Sequence, residues 1–135
     1  MRYMLDTNIC IYIMKRRPPE VHERLRHVPV GEVGLSAVVL AELRYGVCRS
    51  NQKERSEAAL ERFLAFTQVC DWPEEAADHY GDIRAELEHA GAPIGANDLL
   101  IAAHARATGT VLVTNNGREF ERVPGLQVQN WVSAH

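Results

Sequence analysis

Short, solid apolar runs alternate along this chain with longer amphipathic stretches. Met4 and Leu5 close a first run that ends abruptly in Asp6-Thr7-Asn8, and a second apolar run, residues 9–14, follows at once. The pattern predicts a buried strand delivering Asp6 to the mouth of a helix over residues 7–15, where Asp6 or Thr7 can cap the free N–H groups. Pro18-Pro19 stops that helix, and Pro19 suits the first turn of another running to about His27. Residues 31–36 predict a short strand ending in Ser36, which can cap a helix over 37–49 that is apolar nearly all round. Asn51 opens a further helix with an apolar stripe at Leu60, Phe63, Leu64 and Thr67. Leu60, Phe63 and Phe66 cannot all face one neighbour, which leaves one of them for a partner.

Residues 68–72 predict a short strand. Pro73 starts a long helix with Tyr80, Ile83, Leu87 and Ala90 on one face, and Gly91 closes it. A helix of small residues, 98–108, ends at Gly109. The β-branched run 110–114 is the clearest strand, followed by a short helical segment over 118–122 and a weak edge strand over 126–131. Strands alternating with helices define an α/β fold class: a three-layer domain with a central parallel sheet of four to five strands and helices on both faces. The 135 residues suit one domain, residues 1–135, with no repeat or linker dividing it.

Composition changes this picture little. The net charge of −3 announces no nucleic-acid partner, yet a metal site built from acids would lower the net charge and hide a basic rim. Lys15-Arg16-Arg17 and the group Arg44, Arg49, Lys53 and Arg55 are the candidate basic patches. Cys10, Cys48 and Cys70 are far apart and lack C-x-x-C spacing, which argues against a disulfide framework or zinc site and suits a reducing compartment. No apolar run spans a bilayer and no leader precedes the first strand, so the expected location is cytoplasmic, without a membrane.

Four acids stand where acids are costly. Glu42 shares a helical face with Val38, Val39, Tyr45 and Gly46, and Asp98 shares one with Ile101, Ala102 and Ala105. Burying one ionised carboxylate costs several kcal/mol unless it is paired or bound to a cation. Arg84 and Arg118 are candidate ion-pair partners for a single buried acid. For Asp6, Glu42, Asp98 and Glu119 together, all at strand ends or on helices, a shared divalent cation is the stronger reading. Oxygen ligands without histidine or thiol at ligand spacing point to Mg²⁺ or Mn²⁺. His22 and His27 do not stack on one helical face, and His104 points away from the Asp98 face; the histidines read as surface residues. Walker A, G-x-S-x-G, Rossmann and H-E-x-x-H patterns are absent from the sequence.

The pieces together resemble a PIN-domain ribonuclease of the VapC toxin family. They are Met4-Leu5-Asp6-Thr7-Asn8, Ser36 followed by Ala41-Glu42-Leu43-Tyr45-Gly46, Ile83-Arg84-Ala85-Glu86-Leu87, Pro93-Ile94-Gly95-Ala96-Asn97-Asp98, and Val113-Thr114-Asn115-Asn116 running into Arg118-Glu119-Phe120. The resemblance implies Asp6, Glu42 and Asp98 as metal ligands and catalytic acids. Glu119 takes the fourth carboxylate role, because Asn116 stands where many such domains carry an aspartate. Thr7, Asn8, Ser36, Thr114 and Asn116 become supporting polar groups. The resemblance further implies a Mg²⁺-dependent endoribonuclease toxin held by a VapB-type antitoxin, forming a homodimer, in the branch that cuts initiator tRNA in its anticodon stem-loop. The region of the helices over 37–49 and 51–67 is where similar proteins form the groove for the antitoxin. Arg44, Arg84 and Arg118 are candidate RNA-phosphate contacts, with Arg84 equally readable as an internal ion-pair partner. The alternatives are a solitary metal-dependent nuclease on other RNA or DNA, and a PIN-like domain that binds nucleic acid or protein without cutting. An acceptor domain of the response-regulator kind wants a lysine near the last strands, and no lysine follows Lys53.

Overall fold

A computed structural model describes residues 1–133. Its elements follow the predicted order: β1 (Tyr3–Leu5), α1 (Thr7–Lys15), α2 (Pro19–Arg26), β2 (Val33–Ser36), α3 (Ala37–Cys48), α4 (Lys53–Leu64), β3 (Gln68–Cys70), α5 (Ala76–His89), α6 (Ala96–Thr108), β4 (Val111–Val113), α7 (Gly117–Phe120) and β5 (Gln127–Gln129). The five strands form one parallel sheet in the order β3-β2-β1-β4-β5. Tyr3 pairs with Val33 on one side and Val111 on the other. From β1 the chain therefore builds outward in one direction to β3, then returns to lay β4 on the opposite side of β1. Such a reversal opens a crevice at the carboxyl ends of the strands, the usual place for a ligand in an open α/β sheet.

Met4, Leu5, Leu35, Leu112 and Val113 are fully buried, as expected of strands covered on both faces. α1, α2, α3 and α4 pack among themselves, and α5 packs against α6, giving the sheet a helical layer on each face. α6 is buried nearly all round, through Leu99, Ile101, Ala102, Ala103, His104 and Ala105. Its alanines let the helix approach its neighbours closely, and Gly109 closes it in the left-handed region at φ 68°. His104 is thus a core residue, not a surface one: the helical wheel places it off the Asp98 face correctly, but this helix has little solvent face to offer.

Element ends differ from the predicted ones where local chemistry competes with periodicity. Residues 30–32 form a 3-10 turn, with Glu32 N–H donating to Pro29 O at 2.9 Å, so β2 begins only at Val33. Pro73 and Glu74 make a turn that accepts from Ala76 and Ala77, delaying α5 to Ala76. α6 starts two residues before Asp98, capped at Gly95. In α3 only Val39 and Leu43 are buried, and Tyr45 stands out at 65% exposure. Of the three α4-side residues, Leu60 and Phe63 enter the core, while Phe66 is exposed. Among the described residues no helix is long and apolar enough to cross a membrane.

Gly34 is where the sheet tolerates no side chain: a Cβ there would meet Gln68 O of the neighbouring strand at 2.6 Å and the Met1 sulfur. Gly34→Ala should therefore destabilise the fold by about 2 kcal/mol, read as a lowered urea midpoint with an unchanged slope.

Candidate active site

β1 ends at Leu5, and the next residue, Asp6, is 6% exposed in the crevice. Its Oδ1 accepts the Ile9 N–H at 3.0 Å, so Asp6 is the N-cap of α1. Its Oδ2 accepts the hydroxyl of Thr114, at the end of β4. One carboxylate is thereby spanned between a helix start and the adjacent strand. Burial pushes Asp6 above the ordinary carboxylate range, with the Glu42 charge adding to it, against the Thr114, Ile9 and Asn8 donors.

Glu42, in the middle of α3, is half-buried, and the Thr7 hydroxyl donates to its Oε1 at 2.7 Å. Asp98 is also half-buried, in the first turn of α6. Desolvation, a hydrogen bond with Glu119, and the charges of Glu119, Glu42 and Asp6 push it up to about 7. Glu119 comes from α7. Burial pushes its carboxyl up, but the Gly95 N–H at 2.9 Å, Asp98, the Asn116 amide and the Arg122 charge together hold it below the ordinary value. In the Asp98–Glu119 pair, Asp98 therefore carries the shared proton near neutral pH.

The predicted supporting groups divide. Thr7 and Thr114 hold Glu42 and Asp6. Asn116 donates its side-chain amide to Glu119 and its backbone N–H to Thr114 Oγ1 at 2.9 Å. Asn8 is exposed at the rim of the crevice and contributes to Asp6 through its backbone. Ser36 faces elsewhere: it caps α3 and bonds His104. The predicted arginines are placed away from the acids or alone. Arg44 is committed to Glu57 at 2.7 Å and Glu61 at 3.0 Å on α4, because α3 and α4 form a hairpin. Arg84 pairs with Glu88 at 2.8 Å and Tyr80 at 2.9 Å along its own helix. Arg118 is exposed at α7, and among the described residues it has no hydrogen bond or ion pair. The sequence reading missed Arg122, the cation that acts on Glu119, and the backbone N–H of Gly95. Their only signal is proximity in chain to Glu119 and Asp98.

All the donors gathered here are oxygens: carboxylates, threonine hydroxyls and an amide. That chemistry fits a hard divalent cation, and the elevation of Asp98, due first to burial and then to the Glu119 hydrogen bond and the neighbouring acids, marks a carboxylate whose charge is poorly solvated. Among the described residues no group of three or more His, Cys, Asp and Glu side chains is close enough to hold a metal ion as it stands. The acids are near enough to act on one another through their charges, and Asp98 and Glu119 share a hydrogen bond.

A parallel sheet with acids crowded at its switch point is the architecture of a PIN domain, and the PIN domain family model matches residues 3–126. The chain belongs to that family. It is 48% identical over 132 residues, 98% of this chain and 99% of the relative, to Ribonuclease VapC2 of Haemophilus influenzae. It is 47% identical over 131 residues, 97% of this chain and 98% of the relative, to the tRNA(fMet)-specific endonuclease VapC of Shigella flexneri. The solved structure of DNA-bound VapBC from Salmonella typhimurium superposes with a TM-score of 0.92 at 42% identity, covering 98% of this chain and 99% of that one.

Asp98 links the site to stability. Its folded value of about 7 lies above the ordinary 3.8, so between these values the folded protein binds more protons than the unfolded one. Stability contributed by this group is complete below the lower value and is lost as pH rises through the upper one; raised Asp6 adds in the same direction. In EDTA, the melting temperature of the wild type should fall between pH 5 and pH 8 relative to Asp98→Asn, with the variant more stable at the alkaline end. Scanning calorimetry of the two proteins across that range checks the sign.

Proposed function

We propose that this protein is the toxin of a type II toxin–antitoxin pair, a Mg²⁺-dependent endoribonuclease. Its substrate on this reading is initiator tRNA, cut in the anticodon stem-loop. What supports the reading above all is the convergence of Asp6, Glu42, Asp98 and Glu119 at one end of the sheet, where burial and the neighbouring acids together raise Asp98 to about 7. Asp6, Glu42 and Asp98 would hold the ion, with Mn²⁺ as a substitute, and Glu119 would complete the negative field or orient the attacking water. A bound Mg²⁺ supplies Lewis acidity toward phosphoryl oxygens and lowers the pKa of a coordinated water. The Thr7 and Thr114 hydroxyls fix the Glu42 and Asp6 carboxylates, so that little reorganisation is needed when substrate arrives. With water as the nucleophile and the bond from phosphorus to the 3′-oxygen broken, the products carry 5′-phosphate and 3′-hydroxyl ends, and no histidine pair is needed. The tRNA target rests on the likeness to the Shigella flexneri endonuclease.

The partner on this reading is a VapB-type antitoxin, as in the VapBC complex of Salmonella typhimurium, with the toxin a cytoplasmic homodimer. A groove of about 1050 Å³ lies between α1, α3 and α4, walled by Ile11, Val38, Tyr45, Val47 and Leu60, and it reaches Glu42. An antitoxin segment seated there ends at the acids, which explains inhibition by occupancy.

Purified protein incubated with total RNA should cut it in Mg²⁺ and stop in EDTA. Asp98→Asn should lower the rate by about a hundredfold or more without unfolding the chain. Mapped ends bearing 2′,3′-cyclic phosphate, or wild-type cleavage by the variant, would reject the chemistry. For the groove, Tyr45→Asp should weaken the antitoxin encoded beside the gene by about 2 kcal/mol, roughly thirtyfold, while RNA cleavage stays near wild type. Calorimetric titration of the two purified proteins measures it.

A further inference from the structure

His104 lies near the middle of α6 and is 1% exposed. Its Nδ1 is 2.8 Å from the hydroxyl oxygen of Ser36, which is fully buried where β2 ends. That oxygen already accepts the Val38 N–H at 3.2 Å as the N-cap of α3. A hydroxyl has one hydrogen and two lone pairs, so a single bond joins it to Nδ1 and the ring tautomer decides which of the two donates. Burial pushes the imidazole below its ordinary value, so the ring stays neutral at neutral pH.

The bond joins the two helices that carry central acids of the site. Ser36 stands six residues before Glu42, and His104 six residues after Asp98. At 1.5 Å per residue, each acid is roughly 9 Å along its helix from the joint. α3 and α6 pack against each other, and among the described residues no other hydrogen bond joins them. Apolar packing tolerates a small slide or rotation of one helix on another, whereas a directional bond between two buried polar groups tolerates little, since breaking it strands both. Two apolar side chains would fill the same space without fixing that alignment.

We infer that the His104–Ser36 pair is a positioning device for the acids, fixing the register of α3, which carries Glu42, against α6, which carries Asp98. The inference rests on the reading of those acids as the ion's ligands. It makes His104 a positioning residue: among the described residues no hydrogen bond or ion pair joins the imidazole to a carboxylate.

Mn²⁺ titration of the intact protein, followed calorimetrically beside a thermal melt, separates positioning from plain stability. His104→Leu fills the space without a polar partner for the hydroxyl and should weaken Mn²⁺ by about tenfold, the lower end of what outer partners of metal ligands contribute. His104→Asn returns a polar group near the Nδ1 position and should recover most of the affinity, even if its melting temperature falls as far. Ser36→Ala should weaken Mn²⁺ as His104→Leu does, and the two together should cost no more than either alone; Ser36→Thr should restore binding. If His104→Leu does not fold, the Ser36→Ala and Ser36→Thr comparison carries the test. Unchanged Mn²⁺ affinity in His104→Leu or Ser36→Ala, whatever the melts show, overturns the positioning role alone. A wild type that binds no Mn²⁺, or binds it equally well as Asp98→Asn, overturns the metal-site reading and this inference with it.

Discussion

Mutual repulsion among carboxylates at one end of the sheet is the constraint on which the rest of this fold depends. Each acid is anchored by an element it cannot leave. Asp6 is fixed between α1 and β4 by Ile9 and Thr114, Glu42 by Thr7, and Glu119 by Gly95 and Asn116. The anchoring elements are themselves held by fully buried Met4, Leu5, Leu112 and Val113. The acids therefore cannot relax by drifting apart, and burial, reinforced by the neighbouring carboxylates, raises Asp98 to about 7. A partly buried carboxylate is a cost of several kcal/mol that the apolar layers must offset.

Much of this was legible in the sequence, for a reason particular to each residue. Asp6 interrupts two apolar runs, and Glu42 and Asp98 violate the apolar faces of their helices, so all three betray burial without any partner being known. The β-branched run at Val111–Val113 and the proline stop before α2 are equally local signals. What was hidden is what depends on partners distant in sequence. Arg44 looks like a free surface charge until α4 folds back and brings Glu57 and Glu61 to it. Arg84 was readable in principle, since Tyr80 and Glu88 lie one turn either side of it. His104 was misjudged because a helix of alanines flanked by other elements has no true outer face. Ser36 was legible as a cap and named as a supporting polar group, but its second bond runs to α6, which no spacing rule connects to it.

The α3–α4 hairpin shows how the same chain can be rigid and yet leave surface for another molecule. Arg44 grips two carboxylates of α4, an exposed pairing worth at most about 1 kcal/mol. The guanidinium nonetheless bridges the two helices, reaching two carboxylates one turn apart on α4. With Leu60 and Phe63 committed to the core, Phe66 and Tyr45 stay in water. Tyr45 stacks under the Arg49 guanidinium at 5.4 Å, which orders the wall of the groove before any partner arrives. Preformed walls cut the ordering cost of association. A groove that also reaches Glu42 couples occupancy directly to the acids.

Asn116 marks how the site limits its own charge. Its side-chain amide donates to Glu119, and its backbone N–H donates to Thr114, whose hydroxyl in turn donates to Asp6. A continuous path of hydrogen bonds therefore runs from Asp6 through Thr114 and Asn116 to Glu119, and on to Gly95 and Asp98. Were position 116 acidic, it would lose the donor that stabilises Glu119 and set a second negative charge beside it. The two positions are thus reciprocal: an acid on the short helix calls for an amide on the preceding turn. The fourth charge stands three residues after Asn116, on a side chain that Gly95 and Arg122 steady. It leans on the start of α6, the same turn that presents Asp98.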